Sequence, residues 1–262
     1  MSTQNFYKSR KKRKHKGVDE GLIKEFVQGE RALHPRIGGR KLLKILTPRL
    51  KAHGIQIGRD RFFKVLKRQG LLVEKLPPSI CTTNSYHNLP VFFNIVKEME
   101  LSAPNQAWAA DITYLRTQQG FMYLSLITDM YSRKIVGHHL GQSLTAENTI
   151  KALKMALKDK PETAKPIHHS DRGSQYCSHQ YIKELEENGL VASMTEKNHC
   201  AENALAERVN GILKQEYGLR YLFRNAVHAR QAVKQAVWLY NTRRPHSSLQ
   251  LEIPEHVHRL AA

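Results

Sequence analysis

The sequence predicts an α/β fold, a mixed sheet with helices on its faces, preceded by a small all-α unit of helix-turn-helix type. Three observations carry this expectation. Residues before 77 show only helical periodicity, interrupted by prolines and glycines. Strand-like runs begin near Trp108. After three of them, helical and strand patterns alternate in the order β-β-β-α-β-α-β-α, which calls for a sheet with helices packed on it.

From the N-terminus, residues 1–17 form a basic arm with no reason to pack, containing Lys8, Arg10, Lys11, Lys12, Arg13, Lys14 and Lys16. Val18 to Leu33 has helical spacing through Leu22, Phe26 and Leu33 and stops before Pro35. Arg40 to Lys51 places Leu42, Leu43, Leu46 and Leu50 on one side, and His53-Gly54 closes it. In Arg59 to Gln69, Phe62, Phe63, Val65 and Leu66 turn inward while Arg61, Lys64 and Arg68 recur outside at helical steps. A second helix of this kind sits in the DNA major groove in helix-turn-helix proteins. The same pattern also describes a merely solvated basic face. The first unit is therefore placed at 18–76 and a linker at 77–103, because Pro77-Pro78 and the polar stretch through Asn88 and Pro90 break the periodicity.

The core is placed at 104–220. Trp108 to Leu115, Phe121 to Thr128 and Lys134 to Leu140 read as three antiparallel strands, the first two joined by a turn at Gln118 to Gly120. A helix at Ala146 to Leu157 leads to a short strand ending at Ser170. A helix at His179 to Asn188, a strand at Val191 to Met194 and a helix at Ala201 to Tyr217 follow. Residues 221–262 make a helical extension and tail.

Composition excludes several classes. The 262 residues are 40% hydrophobic and 25% charged, and no stretch approaches a membrane-spanning helix. The N-terminus lacks the apolar segment of an export signal, so a cytoplasmic location is expected. Cys81, Cys177 and Cys200 are far apart and odd in number, which suggests neither a disulfide framework nor a cysteine zinc site. The net charge of +19 is one-sided: residues 1–76 hold 21 Lys and Arg against 6 Asp and Glu, leaving 21 against 17 in the rest. Such an excess is best tolerated beside a polyanion.

Three acids share one chemical explanation. Asp111 interrupts the apolar run from Trp108 to Tyr114, where a carboxylate is costly unless paired or metal-bound. Asp171 follows a short strand and precedes a turn with Gly173, and strand ends are where sheet proteins display reactive groups. Glu207 shares a helix face with Asn203, Asn210 and Lys214, opposite Leu205, Val209, Ile212 and Leu213. Carboxylate clusters of this kind bind Mg²⁺ and leave room for phosphate oxygens. Taken alone, the three acids fit ordinary salt bridges as well.

Segments 108–114, 167–176 and 203–214 resemble the three signatures of the DDE transposases of bacterial insertion sequences, in the second reading frame (OrfB) type of the two-frame elements. These are relatives of retroviral integrase. Thirty-five residues separate Asp171 from Glu207, the family's D,D(35)E spacing. Tyr240 to Leu249 is similar to the family's tail motif, and Arg40 to Leu72 to its helix-turn-helix-like module. The resemblance implies an RNase H-like core with Asp111, Asp171 and Glu207 as catalytic residues and ligands of two Mg²⁺ or Mn²⁺ ions, and Lys214 as a contact to transposon-end DNA. It implies strand cleavage and strand transfer without a covalent protein–DNA intermediate. Expected partners are double-stranded DNA at element ends and targets, a second copy of the chain on DNA, and the upstream-frame protein OrfA, free or fused. Glu202 stands where the family usually has Asp, and is read as a supporting or decoy acid beside Glu207.

Other residues are given structural roles. Asp129 is expected to make a turn or strand-end hydrogen bond, Trp108 and Trp238 to pack, and one of His168 and His169 to be buried with the other exposed. The histidines lack the paired spacing of a zinc site. Two further readings share these features: an RNase H-like nuclease without strand transfer, and a catalytically silent DNA-binding regulator.

Overall fold

A computed structural model of the chain describes residues 7, 20–74, 76, 89–196 and 200–260. Most of the basic arm and residues 77–88 of the expected linker lie outside these. The chain divides into two units, Met1–Leu76 and Pro77–Ala262.

In the first unit, helix α1 spans residues 20–33, α2 Gly39–Ala52 and α3 Arg59–Arg68. Each turns one apolar face inward, so that Ile23, Val27, Leu42, Leu46, Phe62, Val65 and Leu66 form a closed core. Leu50 ends the buried stripe of α2, and Gly54, at φ 72°, turns the chain away.

The second unit is built on a mixed sheet in the order β3-β2-β1-β4-β5, with β6 beside β1. The strands are β1 Ala107–Thr117, β2 Gly120–Asp129, β3 Ile135–Gly141, β4 Ile167–Ser170, β5 Val191–Met194 and β6 Leu222–Phe223. The first three are antiparallel, whereas β4 and β6 run parallel to β1 at its two ends. The helices are α4 Ala146–Lys158, α5 His179–Glu187, α6 Ala204–Glu216, α7 Ala226–Thr242 and α8 Pro254–Leu260. Strand alternation sends Trp108, Ala110 and Ile127 to a core with α4 and α5, and Leu115, Leu124 and Leu126 to a core with α6 and α7. Gly137 lets α4 approach β3: a Cβ there would lie 2.2 Å from the Ala152 carbonyl oxygen.

Several expectations are corrected. Residues 89–103 are not an unpacked connection, because Leu89 and Phe92 pack against the α4/α5 core. The tail is part of the fold rather than an appendage: Ala229, Val233, Ala236, Val237 and Tyr240 of α7 complete the α6 core. His168 and His169 are both buried, since helices or loops cover both faces of the central strands. Trp108 is buried as expected, but Trp238 is 58% exposed. Its position on α7 aligns with Val227, Gln231 and Lys234 on the solvent side, away from the Val233, Val237 and Tyr240 stripe. The last core helix begins later than expected, after a 3₁₀ turn at Cys200–Asn203. The short strand β6 had no signal, being two residues long.

Candidate active site

The parallel pairing of β1 with β4 sets Ala109 beside His169. Asp111 lies two residues beyond that pairing on β1 and Asp171 immediately follows β4, and the two carboxylates are close enough to repel each other. Asp111 Oδ1 accepts the Ile112 N–H at 2.8 Å, and Oδ2 accepts Asn210 Nδ2 at 2.6 Å. Burial pushes the Asp111 carboxyl up to about 7, and the Asp171 charge pushes the same way. The Asn210 and Ile112 hydrogen bonds oppose that shift, and the Glu207 charge adds to it. Asp111 therefore feels both of the other acids.

Asp171 is held by its own turn. Its Oδ1 accepts the Gly173 N–H at 3.0 Å, and Arg172 Nε donates to the Thr195 carbonyl at 2.7 Å. A Cβ on Gly173 would stand 3.0 Å from Asp171 Oδ1 and 3.2 Å from Gln175 Oε1, so the turn is closed around a hydrogen at that position. Behind the acids lies the buried ring of Tyr176, whose hydroxyl is driven well above its ordinary pKa by burial, with Tyr181, Asp111 and Asp171 adding to it.

Glu207 sits in the first turn of α6, where the helix dipole favours a negative charge. Two buried asparagines seat this helix on β1. Asn203 Nδ2 donates to the Ala110 carbonyl at 3.0 Å, and Asn210 makes the bond to Asp111. The side-chain oxygens of both are buried without a hydrogen-bond partner. One turn beyond Asn210, Lys214 Nζ lies over the Tyr114 ring, 4.4 Å from its centroid. The sequence had marked Asn203 and Asn210 only as neighbours of Glu207. A side-chain amide on a helix has no spacing signature of its own, so their bonds to β1 were not legible.

The remaining candidates are dispersed. Glu202 turns away from the acids, accepting Asn94 Nδ2 at 2.8 Å and the Glu196 N–H at 2.6 Å. Asp129 behaves as expected, accepting N–H bonds from Asn105 and Ser132 at 2.7 Å each. Burial would raise its pKa, but hydrogen bonds from His258, Ser132 and Asn105 hold it below the ordinary carboxylate value. In the first unit, Arg61 and Lys64 are exposed on α3, and Arg68 is bound to Glu20 of α1 at 2.5 Å. Among the described residues, no three His, Cys, Asp or Glu side chains converge tightly enough to hold a metal ion as they stand. No helix among them is long and apolar enough to cross a membrane.

Comparison with known proteins gives this arrangement a family. Residues 102–200 and 188–254 match models of the integrase core domain. The chain is 41% identical over 223 residues to the insertion element IS600 31 kDa protein of Shigella sonnei, an alignment covering 83% of this chain and 82% of the relative. It is 36% identical over 187 residues to the transposase InsF of insertion sequence IS3A from Escherichia coli K12, covering 70% and 65%. The chain belongs to the insertion-sequence transposases. Its matched region thus spans just under two thirds of the InsF length. The transposase also shares its fold with integrase in the simian T-cell lymphotropic virus intasome, with a TM-score of 0.52 at 17% identity over 85% of this chain and 70% of that one. Its core is therefore RNase H-like, and its family is one of DNA polynucleotidyl transferases.

Proposed function

We propose that the transposase cleaves and joins DNA at the ends of its insertion sequence, with Asp111, Asp171 and Glu207 as catalytic residues holding two divalent cations, Mg²⁺ or Mn²⁺. The observation that carries this reading is the crowding of like charge: Asp111, largely enclosed, lies within the field of both Asp171 and Glu207. A bound cation would offset that repulsion and favour the ionised form of Asp111, and three carboxylates supply the hard oxygen donors that Mg²⁺ prefers. When bound, these ions polarise the scissile phosphodiester, activate water or a 3′-hydroxyl and stabilise the departing oxygen.

The chain's own residues prepare that chemistry. Asn210 fixes the orientation of Asp111 Oδ2, the Gly173 N–H fixes Asp171, and the seat of α6 on β1 holds Glu207 within the field of Asp111. Lys214, two turns along α6 from Glu207, meets the phosphates of the element end. Arg61, Lys64 and Arg68 of α3 supply the separate duplex-binding surface; Arg68 exchanges Glu20 for phosphate when DNA is bound. Bringing two element ends together requires at least a dimer on DNA, and the upstream-frame protein OrfA, free or fused, adds to end recognition. The chain acts in the bacterial cytoplasm, on the nucleoid.

The test incubates labelled DNA carrying the element's own ends with Mg²⁺ or Mn²⁺ and compares wild type with Asp171→Asn, resolving cleaved from joined strands. Joined products that disappear in the variant support the proposal. Cleavage without joining would make the protein a nuclease, and no metal-dependent product would leave it a DNA-binding regulator.

A further inference from the structure

Beyond the acids, β1 carries a second surface. Between its pairing with β4 at Ala109 and with β6 at Arg116, that edge of β1 has no strand beside it among the described residues. The side chains of Tyr114 and Arg116 stand on the sheet face opposite to that of Asp111, directly across from Tyr123 and Phe121 on β2. Tyr123 in turn faces Gly141 on β3, so nothing bulky rises beside it. Tyr114 and Phe121 meet edge to face at 5.4 Å, and this leaves Phe121 55% exposed. Lys214 reaches over the open edge from the opposite side of the sheet onto Tyr114. The patch is thus three aromatic rings, Tyr114, Tyr123 and Phe121, with an exposed Arg116 on one flank and Lys214 on the other.

An exposed aromatic at a hairpin end is commonly just a tolerated surface residue. Three features here point to an occupant. Phe121 offers more than half of its surface to solvent, the flanking charges are both positive, and β1 carries Asp111 only three residues, or about 10 Å, from Tyr114. Apolar protein surface would not select cations, whereas single-stranded nucleic acid is bound by aromatic rings for the bases and by basic groups for the backbone.

We infer that Phe121, flanked by Tyr114 and Tyr123, is a stacking platform for an unpaired base of the DNA strand lying in the active site, with Arg116 and Lys214 neutralising the adjacent phosphates. This deepens the transposase reading and rests on it for the origin of the DNA. A strand that passes the acids crosses the open edge of β1 under Lys214, and its next unpaired base meets the Phe121 face. Stacking is tolerant of base identity, so the platform holds a frayed or cleaved end without reading its sequence.

The experiment uses the full chain and a duplex ending in a short unpaired 3′ tail in which one base is 2-aminopurine, whose fluorescence is quenched when it stacks. Wild type quenches the tail, and Phe121→Trp does the same. Phe121→Ala loses the quench and binds the tailed DNA about 5- to 150-fold more weakly, while its affinity for a blunt duplex changes less than about twofold. Absence of quenching in wild type, or equal quenching in Phe121→Ala, overturns the platform. So does a change of oligomeric state in Phe121→Ala, which would make the patch an interface between copies. Joining of labelled ends by wild type is scored separately. Joining without quenching sinks the platform alone, and quenching without joining sinks the transposase reading alone.

Discussion

Asp111 stores its free energy in a form that pH can read. Its ordinary value of 3.8 is pushed up to about 7 by burial and by Asp171. Between those values the folded protein keeps a proton that the unfolded chain has released, so stability falls as pH rises through this window and stays low above it. Asp111→Asn removes the penalty. Without added metal, the variant is expected to be more stable than wild type at pH 8, by roughly 3–5 kcal/mol at most, with the gap closing toward pH 4 in thermal melts at a series of pH values. An equal gap at both ends of that range would show that Asp111 does not titrate as the geometry dictates. The three acids were singled out by the family resemblance rather than by pattern, since taken alone they fit ordinary salt bridges as well; what pattern did give is the strand under Asp111 and the helix under Glu207. Trp238 was misread because size and hydrophobicity alone favour burial, while only the facing of α7 decides which stripe meets the core. The sequence expected one of His168 and His169 to be exposed because alternation implies an open face, but on β4 both faces are covered at these two residues.

At the scale of elements, α6 is held at both ends. Its first turns are seated on β1 by Asn203 and Asn210, and Glu216 at its last residue receives both Nε and Nη2 of Arg244, at 2.7 and 2.9 Å. Arg244 is almost wholly buried, and although burial opposes its charge, the Glu216 bonds raise its pKa overall. Arg244→Ala leaves the Glu216 carboxylate largely enclosed without its partner and is expected to destabilise the second unit by about 3–5 kcal/mol in denaturant unfolding. Arg244→Met with Glu216→Gln should recover much of that loss; a double variant as unstable as Arg244→Ala would argue against the pair. The tail motif was recognised from its letters, yet its work was not legible, because a contact across 28 residues leaves no periodicity. On α3, replacing Arg61 and Lys64 by Gln should weaken duplex binding and reduce the slope of log K against log salt by about 2 in fluorescence anisotropy titrations, one for each phosphate contact removed. An unchanged slope would reduce α3 to a solvated basic face.

The whole molecule separates charge from chemistry. Residues 1–76 carry a net +15, and residues 77–262, with the acids, carry +4. Each unit has its own buried core, so the fragment 77–262 is expected to melt cooperatively by itself while losing most of the duplex affinity and most of its salt dependence. A fragment that binds duplex as tightly as the full chain would place the polyanion surface in the second unit. The order of strands and helices in that unit follows from local patterns, which is why it was legible; its closure by α7 and α8 depends on partners far apart in the chain.

That closure has a consequence for biosynthesis. Asn241 exchanges two hydrogen bonds with the backbone of Ile135, 106 residues earlier, and the Ser132 hydroxyl beside Asp129 meets His258 across 126 residues. The antiparallel hairpins can form as they leave the ribosome, but the face of the sheet that bears Asp111 is covered only by α6 until α7 arrives. A chain stopped before residue 226 would expose the apolar side of β2 and α6 to chaperones and proteases. Interrupted synthesis is therefore expected to yield degraded fragments rather than a shortened nuclease loose on the chromosome.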